Sequence, residues 1–317
     1  MKNIYSNILK VNKKNLSKAI NYLKKDGVIG IPTETVYGLA GNAYSKKPIK
    51  QIYKLKKRPK INPLIIHYYS VSDLNNDAKL NKKFYSLYNK LCPGPITFIL
   101  NKKINSKIIS SAVANLSTIA VRFPKHQVIR NILKELKFPL AIPSANQSSG
   151  ISPVNSKDVF EEFGKKIKLI INGGNSKIGI ESTVVDLTGK VKILRPGIIS
   201  SSRIGKILKK KILPSSKSRS IKAPGNLKKH YSPGIPMKLN QIRSSKNDAF
   251  IIFGKNYKNS KHTFNLSLNS NLNEAARNLY KTFRKIKKRK YKKIYVVKIP
   301  NVDIGIAIND RLKRASS

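Results

Sequence analysis

The chain has 317 residues, of which 65 are Lys or Arg and 14 are Asp or Glu, so its formal net charge is +51 at pH 7. Its length allows two domains, and its hydrophobic content of 40% is typical of a globular protein rather than a disordered one. The single cysteine, Cys92, excludes an internal disulfide and any zinc site built on cysteines.

Targeting and metal signals are absent from the sequence. No stretch approaches the ~18 consecutive apolar residues of a transmembrane helix. Residues Met1 to Lys14 lack the apolar core of an export signal. No cluster of Cys and His has metal-ligand spacing. We therefore expect a cytoplasmic protein that neither spans a membrane nor binds a metal through its own side chains.

The positive charge has two explanations, and the sequence alone leaves both open. Lysine dominates it and is spread along the whole chain together with Asn, Ile and Ser, a composition that an AT-rich genome produces by itself. The other explanation is real attraction for RNA or another polyanion, which would weaken as salt is added. The few arginines beside motifs are therefore more informative than the many lysines.

The hydrophobic pattern predicts alternating helices and strands over the first two hundred residues. Apolar residues at positions 16, 19, 20 and 23 form one helical face that ends near Gly27, and a second helix includes residues 49–55. Short apolar runs predict strands at residues 28–31, 64–67, 96–100, 119–121, 140–142, 169–171, 183–187 and 191–194. This alternation predicts one α/β domain with a mixed sheet.

A change in composition near Ser200 suggests a boundary between two domains. We interpret residues 1–205 as the first domain, residues 206–238 as a linker rich in Ser and Lys, and residues 239–317 as the second domain. The segment Ala223 to Pro233 is too specific for a plain spacer. Residues 250–253, 274–286 and 294–299 predict a strand, a helix and a strand in a small βαβ-like second domain, where we find no catalytic set of residues.

Polar residues cluster where the predicted strands end. They form five segments, at residues 30–40, 56–67, 118–124, 143–153, and 181–186 with 194–197. Ligands of open α/β sheets bind at the carboxyl ends of strands, so these segments are candidates for lining one site. Taken singly, each is also compatible with an ordinary polar loop, or with a helix end whose lysines complement the helix dipole.

Three arginines, Arg58, Arg122 and Arg195, lie beside predicted strands. A guanidinium offers a planar pair of donors to phosphate or carboxylate oxygens. Because the chain has only 14 acidic residues, we expect Arg122 to await an anion rather than to be paired internally.

Three common catalytic patterns are missing: a Ser-His-Asp arrangement, a Cys-His nucleophile and a G-x-x-x-x-G-K-[ST] phosphate loop. Lys, Arg, Ser, Thr and Asn dominate the five polar segments instead. Such residues suit a reaction that depends on positioning and on stabilisation of charge, without a covalent enzyme intermediate.

Taken in order, the polar segments resemble the motifs of the YrdC-like domain. The motifs are Pro32 to Leu39, Lys56 to His67, Val121 to Pro124, Pro143 to Asn146, Glu181 to Asp186 and Arg195 to Gly197. His230 to Pro233 and Asn309 to Leu312 resemble the longer, two-domain threonylcarbamoyl-AMP synthases. The resemblance extends from about Leu16 to Arg314, and six motifs in one consistent order make it highly specific.

This resemblance implies an activity and a fold. L-threonine, bicarbonate and ATP would give L-threonylcarbamoyl-AMP, pyrophosphate and water, and downstream proteins would use the product to form N6-threonylcarbamoyladenosine (t6A) in tRNA. The implied fold is α/β, with a twisted mixed sheet whose concave face is basic, then a linker and a small Rossmann-like domain. Mg²⁺ is expected with ATP, and no prosthetic group is expected.

The resemblance also implies site residues. Threonine would contact Thr35, His67, Arg122 and Ser182. The nucleotide would contact Lys56, Arg58, Asn62, Thr118, Ser144, Asn146, Ser152 and Arg195, with Lys56 and Arg58 acting in catalysis and Tyr231 of the linker closing over it. Lys57 and Ser149 occupy positions where the family often has Gly, and Val154 a position where it often has Thr, so these departures concern loop geometry.

A second hypothesis from a different class is a basic RNA-binding or ribosome-maturation protein without catalysis. The charge of +51 favours it. Aromatic residues interleaved on a basic surface would also favour it, but the 14 Tyr and 10 Phe fall mostly at strand-core positions or on apolar helix faces. The polar motifs at strand ends favour the enzyme instead.

Overall fold

The computed structural model describes residues 5–212, 230–258 and 260–317. Within these ranges the chain forms two sheets with helices packed against them, which confirms the predicted α/β class with a mixed sheet. The α-helices are α1 Lys13–Lys24, α2 Lys46–Lys56, α3 Val71–Asn75, α4 Lys82–Leu91, α5 Gln127–Glu135, α6 Ser156–Phe163, α7 Ser201–Leu208, α8 Leu272–Lys288 and α9 Ile304–Ala315.

The strands are short and alternate with these helices. They are β1 Ile8–Lys10, β2 Ile29–Ile31, β3 Gly38–Asn42, β4 Ile65–His67, β5 Ala78–Lys79, β6 Ile96–Lys102, β7 Thr118–Arg122, β8 Leu140–Ala141, β9 Ile170–Asn172, β10 Thr183–Asp186, β11 Lys192–Arg195, β12 Met237–Lys238, β13 Ala249–Ile252, β14 Thr263–Asn265 and β15 Ile294–Val296. Two 3₁₀ turns, Ser110–Val113 and Gly164–Lys166, join neighbouring elements. Each strand predicted in the first domain coincides with an observed strand to within two residues at either end.

The large sheet brings the polar segments of the sequence together. Among the described residues it has eleven strands, in the order β1-β9-β2-β3-β8-β4-β7-β6-β10-β11, with β5 paired to β6. β2 and β3 are antiparallel, so the segment between them is a loop at one sheet edge. β4 and β7 are parallel, and their register places His67 opposite Arg122 at the strand ends. Register alone therefore makes these two predicted residues neighbours.

The second sheet has the order β12-β15-β13-β14, and all of its pairs are parallel. Helices α8 and α9 pack against each other beside it. The predicted strand, helix and strand of the second domain are thus present, with two further strands added at the sheet. Its apolar core also includes Val36, Ile180 and Tyr231, which belong to the first domain and to the linker. The two domains therefore share one packed interface.

The structure differs from the sequence analysis where the connector was predicted to start. Ser201–Leu208 is the helix α7, whose first turn is capped by the Ser200 hydroxyl accepting from the amide of Arg203, and whose Ile204 is buried. The predicted linker at residues 206–238 therefore overlaps the end of α7 and contains β12. Residues 213–229, including the segment from Ala223 to Lys229, lie outside the described residues.

Two departures from the family pattern fall at left-handed backbone positions. Lys57 ends α2 with φ of 49°, and Ser149 has φ of 67°. A residue with a Cβ pays about 1 kcal/mol in this region, which explains why glycine would suit both positions. Val154 is fully buried, and its amide donates to the Asp158 carboxylate. In the described part of the chain, no helix is both long and apolar enough to span a bilayer.

Candidate active site

A cleft lies at the strand ends of the large sheet, under the linker. Seven of the residues assigned from the sequence line it: Thr35, Arg58, His67, Arg122, Ser144, Arg195 and Tyr231. Four others, Lys56, Asn62, Asn146 and Ser182, are buried and hydrogen-bonded to these lining residues. Ser152 is bonded to Glu181, which also lines the cleft.

Thr118 differs from the other assigned residues, because it neither lines this cleft nor is among those bonded to its lining residues. It begins β7, whereas Arg122 ends the same strand at the cleft. Four residues of a strand span about 13 Å. A nucleotide contact at Thr118 stays a prediction for a ligand that extends along the sheet from this cleft.

Arg122 is paired internally, which corrects the expectation drawn from the low number of acids. Its Nη2 donates to the Glu34 carboxylate at 2.7 Å. The same carboxylate accepts from the backbone amide of Lys125 at 3.1 Å. Burial alone would raise the pKa of Glu34, but the Arg122 guanidinium outweighs burial and holds that pKa below its ordinary value.

The ion pair with Glu34 orients Arg122 but does not use all of its hydrogen-bond donors. Its Nε atom is buried and has no hydrogen-bond partner among the described residues. A buried donor left unpaired is costly, so such an atom at a cleft wall indicates a ligand acceptor. Glu34 therefore fixes the guanidinium plane, and Arg122 keeps one donor for an anionic group in the cleft.

Thr35 presents a hydrogen-bond acceptor to the cleft. The Thr33 hydroxyl donates to the carbonyl of Val36 at 2.6 Å, which uses its one proton. In the 2.8 Å contact between the two threonine hydroxyls, Thr35 must therefore be the donor. The remaining lone pairs of Thr35 Oγ1 can accept from a ligand ammonium or hydroxyl.

His67 presents a second acceptor. Its Nδ1 lies 3.2 Å from the carbonyl of Ile65, which can only accept, so Nδ1 carries the proton and Nε2 does not. Burial and the nearby Arg122 lower the pKa of His67 well below its ordinary value. The ring is thus neutral near pH 7, with Nε2 as an acceptor. This half of the cleft combines a guanidinium donor with two acceptors, the complement of a hydroxylated amino acid.

Lys56 fixes the polar loop that contains Ser144 and Asn146. Its Nζ donates to the carbonyls of Ser144 at 2.6 Å and of Asn146 at 2.5 Å. The Ser144 hydroxyl in turn donates to the Asn146 side chain at 2.6 Å. Burial and the neighbouring Arg58 lower the pKa of Lys56 well below its ordinary value. The ammonium lies behind the wall, where it shapes the loop that carries Ser144.

Arg58 is fixed by the loop that follows it. Its Nε donates to the carbonyl of Asn62 at 2.9 Å, and its Nη2 donates to the Asn62 side chain and to the carbonyl of Pro63, both at 2.7 Å. Burial lowers the pKa of Arg58 to about 10, which still leaves it charged at pH 7. Asn62 thus acts as a brace for a cation that lines the cleft.

The opposite wall is built around Glu181 and Arg195. Arg195 donates from Nε to the carbonyl of Ser182 at 3.0 Å and from Nη2 to its hydroxyl at 3.1 Å. Ser182 is also bonded to Thr97 at 2.7 Å. Ser152 donates to the Glu181 carboxylate at 2.6 Å. Ser182 therefore orients Arg195, and its hydroxyl is engaged with protein groups rather than facing the cleft.

The linker covers the cleft with an aromatic pair. Tyr231 is fully buried with φ of 65°, and its ring is 4.0 Å from that of His230. The amide of His230 donates to the carbonyl of Arg314, and the amide of Ser232 donates to the carbonyl of Ser149. The segment is thus attached to the second domain on one side and to the first domain on the other. Tyr231 Oη and His230 Nδ1 are buried without a partner among the described residues, which makes them candidate ligand contacts.

Five residues described at this site had no assignment from the sequence: Glu34, Glu181, His230, Tyr280 and Arg311. All of them except Tyr280 stood within recognised motifs, so their position in the chain was a usable signal. Tyr280 and Arg311 belong to the second domain and bond Glu181 of the first. Nothing local in the sequence indicates that these two residues meet Glu181.

The cleft offers no carboxylate cage for a metal ion. Glu34 is engaged by Arg122, and Glu181 is engaged by Ser152 and Arg311. No group of three or more His, Cys, Asp or Glu suited to a metal occurs in the described part of the chain. The two carboxylates near the cleft are thus already engaged by donors of the protein.

Comparisons with known proteins show which family this chain resembles. A family model described as "Telomere recombination" matches residues 21–197, and one described as "Threonylcarbamoyl-AMP synthase, C-terminal domain" matches residues 199–317. The threonylcarbamoyl-AMP synthase of Pyrococcus abyssi is 32% identical over 94% of this chain and 93% of its own length. That of Bacillus subtilis is 29% identical over 97% of this chain and 94% of its own length.

Solved structures share the overall fold. P. abyssi Sua5 complexed with L-threonine has a TM-score of 0.89 and 31% identity, covering 98% of this chain and 97% of that one. A variant of P. abyssi Sua5, in which one His and one Tyr are replaced by Ala, also has a TM-score of 0.89, with 30% identity and coverage of 98% and 96%. E. coli YciO, 20% identical over 59% of this chain and 94% of its own, has a TM-score of 0.52 and supports the fold alone.

Proposed function

The chain belongs to the family of two-domain threonylcarbamoyl-AMP synthases, and we propose that it makes L-threonylcarbamoyl-AMP from L-threonine, bicarbonate and ATP, releasing pyrophosphate and water. In this reaction it is a nucleotidyltransferase, and its product serves t6A formation in tRNA. The observation that carries the proposal is a cleft with amino-acid-binding groups on one wall and buried arginines on the other. The downstream proteins that take the product onward are part of the proposal.

Recognition of threonine follows from the donors and acceptors on the first wall. Arg122 Nε would bind the carboxylate, and Thr35 Oγ1 and His67 Nε2 would accept from the amine and the hydroxyl. Each of these side chains is held by a neighbour inside the protein, so little reorganisation is needed when the substrate binds. Ser182 would act indirectly, by orienting Arg195 rather than by contacting threonine.

The chemical step requires two anions to approach. Once the amine has become a carbamate, its oxygen attacks the α-phosphorus of ATP and pyrophosphate leaves. Two unit charges ~4 Å apart repel by about 4 kcal/mol at an effective dielectric of 20. Arg58 and Arg195 line the cleft on fixed hydrogen bonds and would offset this repulsion. The carbamate needs no strong base, which agrees with a site that has no catalytic dyad among the described residues.

A magnesium ion would arrive on the phosphates of ATP rather than in a protein cage. Both cleft carboxylates are engaged by arginines, as described above. Mg²⁺ is commonly bound by substrate phosphates with few protein ligands. What the chain itself supplies is the pair of guanidiniums and the loop that Lys56 holds.

The direct test is pyrophosphate release by the purified full-length protein. We expect release only when threonine, bicarbonate and ATP are all present, with threonylcarbamoyl-AMP detected by mass spectrometry. Release that does not depend on threonine, or threonine-dependent release without the adenylate product, would refute the proposal. The matched controls omit one substrate at a time.

The non-catalytic RNA-binding alternative gains no support from the surface. Base stacking on single strands requires exposed aromatic rings. Among the described residues, Tyr85 is the one aromatic side chain with high exposure, 45%. The charge of +51 would still give salt-sensitive attraction for tRNA, which an enzyme serving tRNA modification can also have.

The linker is expected to act as a lid over a labile intermediate. Tyr231→Ala should leave the protein folded but lower the ratio of threonylcarbamoyl-AMP to pyrophosphate several-fold, because water then reaches the carbamate and the mixed anhydride. Both products are measured in the same reaction, and thermal unfolding reports on folding.

Tyr85→Ala is the matched control, since it removes an exposed tyrosine ring from α4, outside the cleft lining. Equal product ratios in the wild-type and Tyr231→Ala proteins would show that the segment only tethers the second domain.

A further inference from the structure

A buried arginine of the second domain contacts the wall of the cleft. Arg311 lies on α9 and is fully buried. Its Nε donates to the Glu181 carboxylate at 3.1 Å, and its Nη1 donates to the carbonyl of Pro196, directly after Arg195. The contact partners are separated from Arg311 by 130 and 115 residues. A side chain of the second domain thus bonds the two ends of the wall that carries Arg195.

Glu181 is one of the points at which the two domains are hydrogen-bonded to each other. It accepts from Ser152 of the first domain at 2.6 Å and from the Tyr280 hydroxyl of α8 at 3.0 Å, in addition to Arg311. Burial alone would raise the pKa of Glu181, but Arg311 and Arg195 hold it below its ordinary value. The carboxylate is therefore charged near pH 7 and interacts electrostatically with one guanidinium of each domain.

Arg311 also contacts the linker segment. Its guanidinium carbon lies 5.3 Å from the ring centroid of Tyr231, within the range of a cation–π contact. Tyr280 stacks on the same Tyr231 ring, with ring centroids 5.9 Å apart and an angle of 27° between the planes. Arg311 therefore contacts both the lid ring and the Glu181 carboxylate.

The two domains pack closely near this contact, so a shift of α8 would also move the cleft wall. A Cβ placed on Gly179, which has φ of +85°, would lie 2.5 Å from the Cα of Arg277 in α8. The amide of Gly179 donates to the carbonyl of Thr35, at the amino-acid end of the cleft. Gly179 thus packs on α8 and bonds Thr35, and this close approach requires a residue without a side chain.

Stability alone does not account for a charge in this position. A buried ion pair contributes little net stability compared with apolar residues of similar volume, because both charges lose their hydration. Arg311 is nevertheless fully buried among Tyr231, Tyr280 and Glu181. Arg311 also donates to the neighbouring Asp310 carboxylate. Its other contacts lead to the cleft wall and to the lid, so its burial is better explained by the geometry that it imposes.

We propose that Arg311 is a positioning residue, through which the second domain holds the Tyr231 lid and the Arg195 wall in their closed arrangement. The proposal rests on the function proposed above. It assigns the second domain a role in catalysis without placing any of its atoms on a substrate. Arg311 acts through Tyr231, so the effects of changing the two residues should not multiply.

The experiment is a double-mutant cycle on the full-length protein, with the ratio of threonylcarbamoyl-AMP to pyrophosphate as the readout. Arg311→Met should lower this ratio several-fold, and Arg311→Met/Tyr231→Ala should be no worse than Tyr231→Ala alone. Lys313→Met removes an exposed positive charge from the same helix and should leave the ratio unchanged. A normal ratio in folded Arg311→Met, or effects that multiply in the double variant, would overturn the proposal.

Hydrogen exchange gives a second readout that needs no activity. The amides of His230 and Ser232 are hydrogen-bonded to carbonyls on either side of the lid. Peptides covering these residues should exchange roughly tenfold faster in Arg311→Met than in the wild type or in Lys313→Met. Unchanged exchange in Arg311→Met would contradict the proposal even if the wild-type enzyme made a different product.

Arg311→Lys keeps the test open if the methionine variant does not fold. Lysine supplies the charge for Glu181 but lacks the planar fork that reaches Pro196, Glu181 and the Tyr231 ring together. We expect an intermediate product ratio and intermediate exchange. Wild-type values for both would overturn the proposal. A wild-type protein that releases no pyrophosphate with threonine would instead refute the proposed function. Hydrogen exchange would still test whether Arg311 holds the lid in place.

Discussion

Arg58→Ala is expected to lower kcat for threonine-dependent pyrophosphate release by about 10²–10³-fold while the protein stays folded. Removing one fixed donor that faces developing charge has an effect of this size in other enzymes. Arg58 meets the structural condition for such a donor, because three hydrogen bonds to Asn62 and Pro63 hold its guanidinium at the cleft before any substrate binds.

The matched control is Lys60→Ala, which removes one exposed positive charge from the same loop. It should leave kcat within about twofold, so that general loss of charge is separated from loss of the fixed guanidinium. Arg58→Lys should recover little, since an ammonium cannot reproduce the fork that Asn62 braces. Unchanged activity in a folded Arg58→Ala protein would remove Arg58 from the catalytic site.

The strands of the first domain were largely predictable because each is a short apolar run between polar residues. β3 was missed, since Gly38–Asn42 consists mostly of small residues with weak preference for strands. The structure gives the reason for the small residues. A Cβ on Gly38 would lie 2.2 Å from the Ile142 side chain, and one on Gly41 would lie 2.8 Å from Pro48. The close packing around β3 leaves no room for the larger residues that usually indicate a strand, and this packing is visible only in the folded structure.

The candidate site was predicted in its location but not in its internal pairing. Polar segments at strand ends identified the cleft, because sheet topology brings such ends together. The Glu34–Arg122 pair spans 88 residues and the Glu181–Arg311 pair spans 130. A low number of acids in the whole chain says nothing about where those acids lie. The expectation that Arg122 would be unpaired was therefore wrong, and the contribution of the second domain was missed.

Threonine is expected to be used in preference to valine by on the order of 10³–10⁴ in kcat/KM, although the two side chains have nearly the same shape. An apolar pocket separates such isosteres by only about 10², whereas a site built to bind the hydroxyl rejects the analogue far more strongly. Thr35 Oγ1 and His67 Nε2 are acceptors whose own protons are already committed inside the protein. Valine would leave one of them buried without a donor, and that loss cannot be repaired by water in a covered cleft.

The discrimination should depend on Thr35 in a way that a matched variant can separate from a general loss of activity. Thr35→Val should lower kcat/KM for threonine while leaving that for valine within a few-fold, so the ratio between the two substrates contracts. Thr188→Val makes the same change at a hydroxyl that bonds Asp186, outside the cleft lining, and should preserve the ratio. Pyrophosphate release with each amino acid as sole substrate, at saturating ATP and bicarbonate, gives both values. Comparable turnover of threonine and valine by the wild type, or an unchanged ratio in Thr35→Val, would mean that this wall does not read the hydroxyl and that selectivity arises elsewhere in the cleft.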